Sequence, residues 1–310
     1  MNRKLLKNAS LCNILVKNQL STSSQLGSVN PVDLSYNVYE NNPSDELTPP
    51  VLILHGLFGS KLNWNSLSKA FHQKTKPTRK IYSIDARNHG ESPHSKVHSY
   101  EHMVADLVAL YKKLNIGKAS VIGHSMGGRA MMLLALQYPH LVDRAVIVDI
   151  SPAPGIGTNK TNIPLFLQSM KLIQVSSDHT IHQARKIADE QLSRIIDEKP
   201  LRDFLITNLV KSPDDGSFRW RINLDALERN FISGVARFPD VGKIRFEGPT
   251  LFIAGEKSDY IQQKDIPVIK QLFPNSEIRF VEGAGHWVHS EKSAEFAKLV
   301  LDFLNDINSH

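Results

Sequence analysis

Six short apolar runs, each closed by a glycine, histidine or aspartate, constrain this 310-residue chain more than any other feature. Pro50–Leu54 ends at His55-Gly56, Lys80–Ile84 at Asp85, Ala119–Ile122 at Gly123 and Arg144–Val148 at Asp149. Thr250–Ala254 ends at Gly255, and Ile278–Val281 stops just before Gly283. None of them alternates polar with apolar residues, so each reads as a strand buried on both faces. Helical patterns lie between. Tyr100–Leu114 sets Met103, Leu107, Leu110 and Leu114 on one stripe, Met126–Leu136 follows directly from its strand, and Ser293–Leu304 comes near the C-terminus. Strands alternating with helices predict a mostly parallel, doubly wound α/β sheet, whose functional groups collect at the carboxyl ends of the strands.

The alternation stops between about Ser151 and Gly248. Pro164–Ile173, Thr180–Ile196, Leu201–Val210 and Leu224–Val235 carry helical patterns, and no run there reads as a strand. The expected organisation is therefore a sheet core over residues 32–152 and 249–310, with an all-helical cap over 153–248 inserted after the sixth strand. Residues 1–31 form a separate N-terminal segment.

That segment explains most of the net charge of +6. Arg3, Lys4, Lys7 and Lys17 fall within the first 32 residues, which hold no acid; the remainder carries 33 basic against 31 acidic residues. A nucleic-acid partner is not expected of so balanced a body. Basic, serine-rich and acid-free composition instead predicts a mitochondrial presequence and a matrix location, with cleavage between residues 18 and 32. The sole cysteine, Cys12, would leave with it. No apolar run approaches the ~18 residues of a membrane-spanning helix.

Gly123-His124-Ser125-Met126-Gly127 is the central motif. A G-x-S-x-G turn is weak alone, but here a buried strand precedes it and a helix begins at once. Glycines let the chain turn sharply enough to project Ser125 above the sheet. A serine nucleophile needs a base. His286, in Gly283-Ala284-Gly285-His286-Trp287 after the last strand, is the candidate, with His289 as its rival. Donors for an oxyanion, worth about 3–4 kcal/mol each, are expected from the backbone N–H groups of Met126 and Leu57. His55 would support the loop that carries Leu57. Two carboxylates compete to orient the base. Asp149 ends the strand before the cap, and Asp259 lies in Gly255-Glu256-Lys257-Ser258-Asp259-Tyr260, one position beyond the customary slot, which Ser258 fills. Asp85, Arg87 and His89 are expected to pair among themselves as a structural loop. No metal spacing such as H-E-x-x-H and no dinucleotide loop appears, so no cofactor or metal is expected.

His55–Ser60, Asp85–Gly90, Gly123–Gly128, Val148–Pro152 and Gly285–Trp287, with cap segments Ala184–Leu192 and Trp220–Leu227, together resemble the alpha/beta-hydrolase domain-containing protein 11 family. The likeness spans roughly residues 34–305, and its cap matches are the specific part. It implies an α/β-hydrolase fold and a mitochondrial serine hydrolase acting on acylglycerols such as diacylglycerol. Relatives include bacterial esterases and yeast ethanol acetyltransferases. The resemblance also favours Asp149 as the acid and adds Asp225 as a third candidate. An alcohol acyltransferase would use the same site with another acceptor, and a non-catalytic binding protein would have little need of serine, histidine and acid together. Dehalogenases and epoxide hydrolases need an aspartate where Ser125 stands. Leu165, Phe166, Met170 and Phe204 are candidates for an acyl pocket, or for packing within the cap.

Overall fold

The computed structural model describes residues 29–40, 48–153 and 162–306. Most of the expected presequence therefore lies outside the described residues. Strands β1 (Tyr36–Tyr39), β2 (Val51–Leu54), β3 (Ile81–Ile84), β4 (Ala119–His124) and β5 (Val142–Val148) precede the cap, and β8 (Thr250–Gly255) and β9 (Ser276–Val281) follow it. They form one seven-stranded sheet in the order β1-β3-β2-β4-β5-β8-β9. Every pairing is parallel except that of β1 with β3. Strand β1 was not expected. Its half-exposed Tyr-Asn-Val-Tyr lies at the sheet edge, where burial does not write an apolar run.

The central strands bear out the apolar runs: every residue of β2, β3, β4 and β8 is buried. Helix α1 (Asn65–Lys74) and the C-terminal α10 (Ser293–Asn305) cover one face, whose cluster holds Trp64, Phe71, Ile53, Val148 and Phe296. Helices α2 (Tyr100–Lys113) and α3 (Met126–Gln137) cover the other. Helix α3 is buried along its whole length except for Gln137, as expected of a helix packed on several sides.

Two features of the cap differ from expectation. It follows the fifth strand among the described residues, not the sixth, and it is not all-helical. Helices α4 (Ile163–Lys171), α5 (Ile181–Leu192), α6 (Lys199–Ile206) and α7 (Leu224–Asn230) enclose an antiparallel ribbon of β6 (Leu209–Lys211) and β7 (Phe218–Trp220). The helix expected over Leu201–Val210 stops at Ile206, and the ribbon turns through Pro213-Asp214-Asp215-Gly216, where Gly216 takes φ 70°. A Pro-Asp-Asp-Gly turn between β-forming residues was a legible hairpin signal; three-residue strands are too short to show a period. After α7 a single π-helical turn covers Phe231–Val235. Phe238 and Phe246, beyond it, are buried with the sheet's own core.

Candidate active site

Strand β4 and helix α3 meet at Ser125, which takes φ 53° and ψ −118°, a region costly for any residue with a side chain. Packing holds it there. Gly127 lies so close to β2 that an added Cβ would fall 2.3 Å from the Leu54 carbonyl. Backbone bonds complete the clamp: Ser125 N–H donates to Val148 O (3.0 Å) and Arg129 N–H to Ser125 O (3.1 Å).

His286 lies in the loop after β9, and its Nδ1 is 2.7 Å from Asp149 Oδ2. Asp149, fully buried at the end of β5, accepts the Gly255 N–H on Oδ1 at 2.9 Å. Ser258 donates its hydroxyl to Oδ2, so the serine in the customary acid slot serves a carboxylate from the neighbouring strand. The other two acid candidates are elsewhere. Asp259 is exposed and meets Gln262 (3.3 Å), and Asp225 is exposed on the cap with Lys171 at 2.6 Å. His289 is not brought to the cavity of Ser125. It stacks on Trp64 (4.5 Å, 4°) inside the core, where burial holds its pKa down to about 3.

Further groups fix the imidazole. The Tyr260 ring stacks on it at 3.9 Å and 19°. Glu291 accepts from the amides on either side, Gly285 (2.7 Å) and Trp287 (3.1 Å). His124 bonds the His286 carbonyl through Nε2 at 2.9 Å. A carbonyl only accepts, so that nitrogen carries the proton. Burial lowers the His124 pKa well below the ordinary range and keeps the ring neutral.

Leu57 and Met126 line the same cavity as Ser125 and His286. The two amides that follow Leu57 are engaged: Phe58 donates to His89 Nε2 (3.2 Å) and Gly59 to Gly56 O (3.0 Å). His55 supports this loop as expected, with Nδ1 on Gly56 O (2.7 Å) and Nε2 accepting from Ala86 (3.1 Å). The side chains of Asp85, Arg87 and His89 do not pair with one another, although His89 Nδ1 donates to the Arg87 backbone carbonyl at 3.0 Å. Arg87 forms a two-pronged pair with Asp106 (2.6 Å to each oxygen), Asp85 binds Lys61 (2.7 Å), and His89 holds the Leu57 loop. These partners lie 19 to 31 residues away, beyond what a local motif can announce.

The cavity measures about 140 Å³ and is walled mostly by apolar side chains, among them Ile150, Ile163, Phe166, Phe204 and Val235. Of the four cap residues considered for a pocket, Phe166 and Phe204 line it, Met170 is buried inside the cap and Leu165 is 44% exposed. Arg129 and Tyr100 also line it and were not foreseen, although Arg129 is the single charge in an otherwise apolar helix.

The profile of the alpha/beta hydrolase fold matches residues 49–293. The mouse sn-1-specific diacylglycerol lipase ABHD11 is 44% identical over 285 residues, covering 92% of this chain and 89% of that protein. A probable alcohol acetyltransferase of Saccharomyces cerevisiae is 36% identical over 88% of this chain and 84% of its own. Among solved structures, a marine microorganism esterase superposes with a TM-score of 0.79 at 36% identity, over 88% of this chain and 99% of its own. Fold, site and relatives define a carboxylic ester hydrolase. Within that class, the chain belongs to the alpha/beta-hydrolase domain-containing protein 11 family.

Proposed function

We propose that Ser125, His286 and Asp149 are the catalytic triad, and that the chain cleaves acylglycerols such as diacylglycerol through an acyl-enzyme. His286 takes the hydroxyl proton as Ser125 Oγ bonds to the ester carbonyl carbon. The N–H groups of Leu57 and Met126 receive the developing oxyanion. The C–O bond to the alcohol then breaks, and the alcohol leaves with the proton from His286. Water attacks the acyl-serine by the same route in reverse, freeing the carboxylic acid. Asp149 holds the imidazole in its tautomer and offsets the imidazolium charge.

The observation that carries this reading is the Asp149–His286 contact beside a serine held in a strained turn, gathered at the carboxyl ends of β4, β5 and β9. Substrate class follows from the lipases among the relatives. A cavity of about 140 Å³ is small beside the ~300–1,000 Å³ of ordinary small-molecule sites. It suits a short acyl group, and a long chain fits only if the cap moves outward. Residues 1–31 support a mitochondrial matrix address by composition alone. Alcohol in place of water would make the same site an ester synthase, the reading favoured by the yeast relative; ester formation measured against hydrolysis at rising ethanol separates the two.

The direct test is labelling with a fluorophosphonate probe. Folded wild type should label and Ser125→Ala should not. A folded wild-type protein that stays unlabelled would rule out the acyl-enzyme and leave a binding role.

A further inference from the structure

The cap is tied to the core at its footings and again at its ribbon. Arg129 holds the footings: its guanidinium donates to the carbonyls of Ser151 (3.2 Å) and Ala153 (3.1 Å) ahead of the cap helices, and of Ala236 (3.1 Å) behind them. The ribbon is tied at its open end, where the Arg221 N–H donates to Asn208 O at 2.8 Å. There Asn223 gives its backbone N–H to Asn88 O (3.0 Å) and its side-chain amide to Asn88 Oδ1 (3.1 Å), and His94 donates to Arg221 O (2.9 Å). Asn208 itself, 3% exposed between α6 and β6, donates from Nδ2 to Phe58 O at 2.8 Å.

Phe58 takes φ 64°, a left-handed conformation that a bulky side chain rarely adopts. Its side chain belongs to the cap's own buried cluster, with Leu167, Leu205 and Leu209, and it is the one core residue among that cluster's buried members. Its N–H meets His89 Nε2. The backbone of Phe58 is thus held from two sides, by a core histidine at the amide and a cap asparagine at the carbonyl. Leu57, the proposed oxyanion donor, immediately precedes it. A strained conformation persists only while its surroundings over-determine it. Outward movement of the cap must therefore draw Phe58 along or break the Asn208 bond, and either displaces Leu57.

We propose that Asn208 is a positioning residue through which the docked cap sets the oxyanion hole. The Leu57–Phe58 loop holds its reactive conformation only while the cap is closed on it. Acyl groups that fit beneath the closed cap are then turned over fastest, and a chain that props the cap outward is slowed at the reacting centre as well as in binding. The proposal rests on the acyl-enzyme reading, which supplies the oxyanion.

Asn208→Leu keeps the size of the side chain and removes the donor. With 4-nitrophenyl acetate its kcat should fall about 10- to 100-fold, short of the ~10²–10³ lost when an oxyanion donor is deleted, and KM should be unchanged. Asn208→Gln, which keeps a donor, should recover most of the loss. Affinity for a trifluoromethyl ketone, whose carbonyl carbon bonds to Ser125 Oγ and leaves an oxyanion in the hole, should fall by the same factor as kcat/KM. A merely structural role would lower the unfolding midpoint without that correlation. Wild-type kcat in folded Asn208→Leu overturns the proposal, as does a loss confined to KM. If Asn208→Leu does not fold, wild type decides: its kcat should fall about tenfold from the acetate to the decanoate ester, and equal values overturn the proposal. A wild type that neither hydrolyses esters nor labels with fluorophosphonate defeats the acyl-enzyme reading and this one together. A wild type that does both, beside a folded Asn208→Leu with unchanged rates, defeats this one alone.

Discussion

The sheet core and the cap use charge differently. In the core, Arg87 and Asp106 pair at 2.6 Å with side chains at most 1% exposed, and Lys61 meets Asp85 with both nearly as buried. In the cap, Lys171–Asp225 and Lys199–Asp203 lie on the surface, and the buried Arg202 meets a partly exposed Asp189 at 2.7 Å. Buried pairs fix the loops around the site because moving either partner away leaves the other charge buried and uncompensated. Surface pairs contribute little and can re-form with other partners. The contrast places rigidity where the reacting groups must be held and leaves the cap's outer surface free to change.

Four measurements sharpen or break this contrast. The largest expected effect is chemical: Ser125→Ala should lower ester hydrolysis by about 10⁵-fold or more while leaving the fold intact. Next comes the choice of acid. Asp149→Asn should cost about 10³- to 10⁴-fold in kcat, whereas Asp259→Asn and Asp225→Asn should leave kcat within about twofold, as surface changes away from the chemistry do. A loss at Asp225→Asn equal to that at Asp149→Asn would mean that the cap contributes a carboxylate to the reacting centre. Third, Arg87→Met should lower unfolding stability by about 3–5 kcal/mol, because Asp106 is left buried and unpaired. Lys171→Met should leave the denaturation midpoint unchanged, and a comparable loss at both sites would erase the distinction between core and cap.

The smallest effect concerns pH. Burial holds His89 and His289 near a pKa of about 3, below the 6.5 of an unfolded histidine. The unfolded chain therefore binds more protons as pH falls through about 6.5, and stability declines from there toward pH 3. His289→Phe keeps the stacking surface on Trp64 and removes one such group. It should flatten the fall of Tm between pH 6.5 and 4, with kcat within about twofold of wild type. An unchanged slope would mean that His289 does not contribute to the acid sensitivity.

What was legible in the sequence follows the range of the interactions. The central strands, the turn at Ser125 and the placement of His286 are local patterns of three to twelve residues, so they can be read directly. Asp149 could be nominated because strand ends in such a sheet converge, but Asp259 stayed open until the backbone placed it in solvent. Arg129 was missed because its meaning depends on Ser151, Ala153 and Ala236, residues up to 107 positions distant. The pairing of Arg87 with Asp106 was hidden for a similar reason: Asp106 sits within a regular helical stripe and looks like a solvent-facing residue. The Glu291 carboxylate that flanks His286 has no motif at all, only a position one turn into the following helix.

The carbonyls bound by Arg129 have one more implication. Since one guanidinium holds the Ser151 and Ala153 carbonyls ahead of the cap helices and the Ala236 carbonyl behind them, the intervening segment is an excursion whose ends lie close together. A different segment with the same two footings could replace it without altering strand order or the geometry of Ser125 and His286. Exchange of that segment would rewrite the cap's share of the cavity wall, Ile163, Phe166, Leu201 and Phe204, and leave the core's own residues in place.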